Sequence, residues 1–233
     1  MSLKAVRVQC FGISNGLRTP LSQNIQDTLP LPTPTTLIGI LGAALGISRK
    51  TISVLYSKFQ LGVVGTHLTT FQDLTRIVKY QSRGFIKKES SLLIRENLFN
   101  SKFTLWFIPV RDIAISEVYD AFKNPKYALS IGRDDEIVRI DEVKVVSLEE
   151  IENPLIESTV VPFSLDASAE IIVDTTEVMI PLISINLPRS FITDVNGIRT
   201  PIDFKSYTFI EGYKIQSNRK GALQDGEYRF FPL

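Results

Sequence analysis

Six basic residues, Arg76, Lys79, Arg83, Lys87, Lys88 and Arg95, are interleaved with Tyr80 and Phe85 in one short stretch. Cations neutralise phosphates and release counterions, and aromatic faces stack on bases, so this mixture is the chemistry of nucleic-acid binding. Arg76 to Lys102 holds 7 basic and 2 acidic residues, and Gly84 lets the chain turn, so the segment reads as a projecting hairpin. The plainer reading is a solvated hairpin with ordinary lysines. His67 is the only histidine. Metal-independent RNA cleavage draws on a general base and a general acid, often histidines, so His67 with a tyrosine or lysine partner is the candidate catalytic group. Placed on a strand, it reads first as structural.

Asp134, Asp135 and Glu136 form the densest carboxylate cluster. Three carboxylates suit a hard divalent cation, but beside Gly132 they read more simply as a solvated hairpin turn, and no metal site is assigned. Gly39, Gly42 and Gly46 match neither the dinucleotide fingerprint nor the phosphate loop, so no cofactor is expected. Cys10 is the only cysteine, which excludes an intramolecular disulfide and a cysteine-rich zinc site. The longest apolar run, Leu37 to Ile47, has 11 residues where a membrane span needs about 20, and no long apolar leader follows Met1. Cytoplasmic location without membrane contact is the expectation.

The elements that must position these groups follow from periodicity. Leu3 to Phe11 alternates as a half-buried strand. A long polar loop with Arg18 follows. Thr33 then serves as N-cap, Pro34 as first helical residue and Gly46 as C-terminal cap of a helix bearing Leu37, Ile40, Leu41, Ala44 and Leu45 on one face. Gly39 and Gly42 weaken that helix by roughly 1 kcal/mol each, which predicts close packing of another backbone there. A second helix is expected over Arg49 to Phe59, a strand over Leu61 to Phe71, another over Asn97 to Val110, and a short helix over Ile113 to Phe122. Strands at Tyr127 to Ile131 and Ile137 to Val146 complete the first part. The order strand, helix, strand, strand, helix, strand is the α+β, ferredoxin-like (RRM-like) pattern that carries many RNA-recognition modules. From Ser147 onward, short β segments punctuated by proline and glycine predict a β-rich remainder.

Net charge is +1, but residues 1–111 hold 14 Lys and Arg against 4 Asp and Glu, and residues 112–233 hold 12 against 21. The basic part suits an anion and the acidic part suits protein or solvent.

Asn15-Gly16-Leu17-Arg18-Thr19-Pro20 leads into Thr28-Leu29-Pro30-Leu31-Pro32-Thr33-Pro34-Thr35-Thr36-Leu37-Ile38-Gly39-Ile40-Leu41-Gly42-Ala43-Ala44-Leu45-Gly46. This stretch resembles the N-terminal signature of CRISPR-associated protein family five, in the RAMP superfamily. Arg95-Glu96-Asn97-Leu98-Phe99 and Tyr127-Ala128-Leu129-Ser130-Ile131-Gly132-Arg133 resemble two further elements of that family, in the same order. The resemblance implies a RAMP palm at 1–146, a thumb β-hairpin inserted near 72–96, and a β-rich C-terminal region at 147–233. It implies an RNA-binding subunit of a type I surveillance (Cascade) complex that caps the 5′ handle of crRNA. Its partners would be the repeating backbone subunit and the large subunit. Lys79, Arg83, Lys87 and Lys88 would meet phosphates, with Arg95 and Arg133 beside them, and Arg18 would reach a base edge, a bidentate contact worth about 1–3 kcal/mol. One branch of the family instead cuts precursor crRNA with a cluster that includes Tyr, Lys and His. Here His67 has Thr66 and Leu68 as neighbours and no adjacent lysine. A non-catalytic subunit is therefore expected, with a metal-independent endoribonuclease using His67, Lys79 and Tyr80 as the alternative. A protein scaffold without RNA contact is a third reading.

Overall fold

The computed structural model describes residues 3–20, 25–79, 89–110, 114–165, 170–172 and 182–233. In chain order these form β1 (Leu3–Asn15), β2 (Ile25–Gln26), α1 (Pro34–Leu45), a 3-10 turn (Ile52–Leu55), β3 (Phe59–Thr66), β4 (Thr69–Lys79), β5 (Glu89–Pro109), α2 (Ile115–Lys123), β6 (Val138–Ile151), β7 (Leu155–Val161), β8 (Glu170–Ile172), β9 (Ile183–Thr193), β10 (Arg199–Gln216), β11 (Ala222–Asp225) and β12 (Tyr228–Phe230). The strands join into one mostly antiparallel sheet of order β12-β11-β6-β1-β5-β3-β7-β10-β8, with β2 and β4 also paired to β5 and β9 to β10. The C-terminal strands therefore extend both ends of the sheet begun by the first half. No helix among the described residues is long and apolar enough to cross a membrane.

Alternation along the central strands gives the sheet two buried faces. Val6, Val8, Phe103, Leu105 and Phe107 turn to the side covered by α1 and α2, where Leu37, Ile38, Leu41, Val118 and Phe122 pack on them. Helix α1 begins and ends where local chemistry demands. The Thr33 hydroxyl accepts from the Thr36 N–H, Pro34 opens the helix, and Gly46 closes it in the left-handed region at φ 75°. The N–H groups of Lys126 and Tyr127 then satisfy the carbonyls of Ala44 and Ala43 at 3.1 and 3.2 Å.

The opposite face is closed by the β11–β12 hairpin. Phe230 stacks on Trp106 with ring centroids 4.4 Å apart. Asp225 accepts from Trp106 Nε1 at 2.9 Å and from Arg7 Nη1 at 3.0 Å, so the buried indole N–H has its partner. Gly62 makes the stack possible: a Cβ there would lie 2.3 Å from a carbon of the Phe230 ring.

Several elements differ from the sequence reading. The expected second helix shortens to the 3-10 turn, because Phe59 opens β3 while Leu55 and Tyr56 fill the core beneath α1. The expected strand 61–71 is two strands, and His67 and Leu68 form the turn between them. Tyr127 to Ile131 is a loop with a single bridge, Ser130 to Ile137, rather than a strand. Gly42 packs as expected, but against the Ile52 side chain, 2.5 Å from an added Cβ, and not against backbone. Gly39 has nothing within 4 Å of an added Cβ, so packing does not explain it.

Two predictions follow from the buried faces. Gly62→Ala is expected to cost about 1–3 kcal/mol in urea unfolding, and Phe230→Leu in the same chain should recover part of it. Burial pushes the Cys10 thiol up to about 12 from an ordinary 9.0, and burial likewise pushes the Tyr207 hydroxyl up to about 12 from 10.0. Both groups stay protonated in the folded chain after they would ionise in the unfolded one. Stability should hold below about pH 9 and fall as pH rises toward 12. Denaturant midpoints across that range check this, and Cys10→Ala should flatten the first part of the fall.

Candidate nucleic-acid interface

Arg18, Arg95 and Arg133 come from three distant segments and meet around one pocket of about 240 Å³, which Gly16, Gln26 and Glu96 also line. Each is delivered by a local structure that the sequence specifies. After β1 the chain folds back on itself: Leu17 N–H donates to Thr28 Oγ1 at 2.9 Å, and Leu29 N–H donates to the Leu17 carbonyl at 2.7 Å. Leu17 is buried and Arg18 is exposed, so the turn anchors on its apolar residue and presents its cation. No hydrogen bond or ion pair holds the Arg18 guanidinium among the described residues. The next segment, β2, pairs in parallel with β5 and sets Gln26 beside Arg95. The Thr28 N–H donates to Glu96 Oε2 at 3.1 Å, which ties the same loop to β5 and occupies one carboxylate oxygen of the pocket.

Arg133 is held far more tightly. Gly132 adopts φ +110°, and an added Cβ would lie 2.9 Å from the Gly16 carbonyl oxygen, so only glycine allows the two loops to touch. Asn15 Nδ2 donates to the Ile131 carbonyl at 2.8 Å and locks the contact. The Arg133 guanidinium then donates to Asn97 Oδ1 at 3.0 Å and pairs with Glu136 Oε1 at 2.6 Å. Glu136 Oε2 also accepts the backbone N–H of Arg133 at 2.5 Å. Glu136 is only 5% exposed. The sequence reading of a solvated carboxylate turn therefore holds for Asp134 and Asp135 but fails for Glu136, whose charge is drawn inward by the arginine. Among the described residues no group of three or more His, Cys, Asp or Glu could hold a metal ion.

Other predicted residues lie elsewhere. Lys79 ends β4 opposite Glu89, and its side chain is outside the described residues, as are Tyr80, Arg83, Phe85, Lys87 and Lys88 in full. His67 sits in the turn between β3 and β4, not on a strand. Its Nδ1 lies 3.0 Å from Glu211 Oε1, near enough for an ion pair when the ring is protonated, although the direction does not suit a hydrogen bond. Gly12-Ile13-Ser14-Asn15-Gly16 has the letters of a nucleophile elbow, but Ser14 lies within β1 opposite Phe99 and not at a strand-to-helix turn. Gln26 and Glu96 also belong to the pocket; the sequence pointed to Glu96 only as part of the Arg95–Phe99 element and to Gln26 not at all. The tight Gly16 position, where an added Cβ would meet Asn97, Glu136 and Arg133 within 3.2 Å, is the signal that leads to their surroundings.

The arginine cage gives a stability prediction. Glu136→Gln keeps the shape but removes the charge facing Arg133, and is expected to cost about 2–3 kcal/mol in denaturant unfolding. Asp135 is 3.6 Å from Arg133 Nε and its side chain is 82% exposed, so Asp135→Asn should change stability by about 0.5 kcal/mol or less.

Residues 8–196 match the model of a family described as CRISPR-associated protein (Cas5). No curated protein matches the chain. Among solved structures it is similar to a chain described as a CRISPR RNA-guided surveillance complex, at 16% identity, TM-score 0.54, over 100% of this chain and 91% of that one. It is also similar to a CRISPR protein from Archaeoglobus fulgidus, at 11% identity, TM-score 0.53, over 98% of both chains. A crystal structure of a Cas protein aligns at 21% identity and TM-score 0.39 over 57% of this chain and 58% of that one, little more than half of each. At these identities the likeness is one of fold.

Proposed function

The chain belongs to the CRISPR-associated Cas5 family, and from that premise we propose that it is a non-catalytic RNA-binding subunit of a type I CRISPR surveillance complex. In this reading it caps the 5′ handle of crRNA and contacts the repeating backbone subunit and the large subunit. The observation that carries it is the convergence of Arg18, Arg95 and Arg133 on one pocket. Glu96 is the one carboxylate that lines the pocket; Glu136 and Asp135 pair with Arg133, so Arg18 and Arg95 are the cations left to meet a phosphate.

The order β6-β1-β5-β3 with α1 and α2 on one face supports reading residues 1–146 as a ferredoxin-like palm. The β4–β5 hairpin, which leaves the palm at Asn100, supports a thumb near 72–96. Arg83, Lys87 and Lys88 would carry the contacts of that thumb to RNA phosphates, and 147–233 would form the β-rich remainder.

The alternative is a metal-independent endoribonuclease. The placing of a carboxylate, Glu211, 3.0 Å from Nδ1 of His67 is the observation that favours it. The sequence neighbours of His67, Thr66 and Leu68 with no adjacent lysine, depart from the nuclease branch and support the non-catalytic reading.

Anisotropy of labelled repeat RNA against salt tests the proposal. Wild-type affinity should fall steeply with salt, with a slope of about −0.7 for each phosphate neutralised on a single strand. Arg18→Glu should weaken binding about tenfold or more and make the slope shallower, and the paired change Lys87→Glu with Lys88→Glu should do the same. Equal affinity in all variants would sink the reading. In a parallel incubation the RNA should stay intact; cleavage abolished by His67→Ala would put the nuclease in its place.

A further inference from the structure

A groove of about 760 Å³ runs along the outer side of α1, walled by Gly39, Arg49, Tyr56, Tyr127, Phe191 and Arg199. Its far wall comes from the acidic half of the chain. The Arg199 guanidinium lies 4.2 Å over the Phe191 ring and close to the Tyr56 hydroxyl, while its buried Nε has no partner among the described residues. Tyr127 is 61% exposed and presents a free aromatic face. Four threonine and serine side chains, three isoleucines, two alanines and Gly132 complete the lining, with one carboxylate, Asp134.

Gly39 is the clue to an occupant. A glycine inside a helix weakens it relative to alanine, and such a residue needs a reason. At Gly42 the reason is Ile52, whose side chain would clash with a Cβ. At Gly39 nothing lies within 4 Å, and the residue faces the groove. The bare backbone is useful only to something that enters from outside.

The groove also adjoins the arginine pocket. Gly132 lines the first and Arg133 the second, so the two sites lie on either side of one loop. We infer that the α1 groove receives a splayed-out nucleotide of the same single-stranded RNA whose backbone the arginine pocket holds. Tyr127 supplies the stacking face, Arg49 and Arg199 supply the cations, and Gly39 leaves the depth a base requires. Two arginines against one carboxylate favour an anionic nucleotide over a partner helix, and the apolar and aromatic side chains between them suit the faces of a base. The inference rests on the RNA-binding reading and goes beyond it in naming a second, base-accepting site.

The test compares Gly39→Ala, Gly39→Phe, Tyr127→Ala and Arg18→Glu in the full chain, with fluorescein-labelled oligouridine and repeat RNA as probes. Gly39→Ala should raise the melting temperature by about 2 °C, because helix propensity improves and nothing clashes. Gly39→Phe fills the groove, and Tyr127→Ala removes its stacking face; each should weaken RNA binding about tenfold with an unchanged circular dichroism spectrum. A 4-thiouridine probe should crosslink to Tyr127. If both groove variants bind like wild type while Arg18→Glu is impaired, the groove is off the RNA path and this inference falls, while the RNA-binding reading stands. If wild type does not bind either probe, both fall. If Gly39→Phe spares RNA binding but prevents co-purification with a partner subunit, the occupant is protein and the inference is overturned.

Discussion

A β-strand has two edges, and β5 uses both along most of its length. From Glu89 to Phe99 one edge pairs with β4; from Lys102 to Pro109 the same edge pairs with β3. The other edge takes β2 at Ile94 and Arg95, then β1 from Leu98 to Phe107. Four strands thus take their register from one, and that register sets Gln26 beside Arg95 and β4 along the outer arm of β5. The exchange of partners needs a break, and Asn100 supplies it with φ 52°, a conformation asparagine tolerates better than other side-chain-bearing residues. Beyond that point β5 leaves the two-layer core and continues as one arm of a hairpin. Arg95 lies half-buried on that arm, and Asn97, buried beside it, holds Arg133.

Local signals in the sequence were enough for α1. Thr33, Pro34 and Gly46 each act within four residues of themselves, and the helix starts and stops at them. The segment from Arg49 to Phe59 shows the limit of that reasoning. Ile52, Leu55, Tyr56 and Phe59 have helical spacing, yet Phe59 is claimed by the edge of β3 and the rest close only one 3-10 turn. Tertiary pairing overrode periodicity. His67 went astray for a related reason: the apolar run from Leu61 to Phe71 conceals a turn dictated by the kink opposite, where Leu68 N–H donates to the Phe99 carbonyl.

Charge counting along the chain was informative about which residues are cationic and blind to where they meet. It divided the molecule into a basic first half and an acidic second half with separate tasks. The sheet does not respect that division. Pairing β6 beside β1 carries the loop before β6 next to the loop after β1, so Arg133 joins Arg18. The long hairpin of β9 and β10 brings Phe191 and Arg199 to α1 in the same way. Both cations sit in the half with the acidic balance. Apart from the family resemblance, which grouped Arg18, Arg95 and Arg133, the sequence trace of the first convergence is the pair Gly16 and Gly132, small residues at a contact that no local pattern announces.

The arginines of the pocket differ in what binding would ask of them. Arg18 is exposed and must lose side-chain freedom when it grips a ligand. Arg133 has already lost it: Glu136 and Asn97 both hold Nη2, and the bare Gly16 leaves room beside Nη1, 3.2 Å from where a Cβ would stand. Arg133 thus enters the pocket lining with its guanidinium already held at Nη2. Removing Glu136 would free Arg133 to move and also strand its charge near the core. The buried carboxylate, which lowers the net positive charge of the pocket, is therefore best understood as an orienting group. It trades some attraction for a fixed direction, and a fixed direction is what distinguishes one phosphate position along a flexible strand from the next.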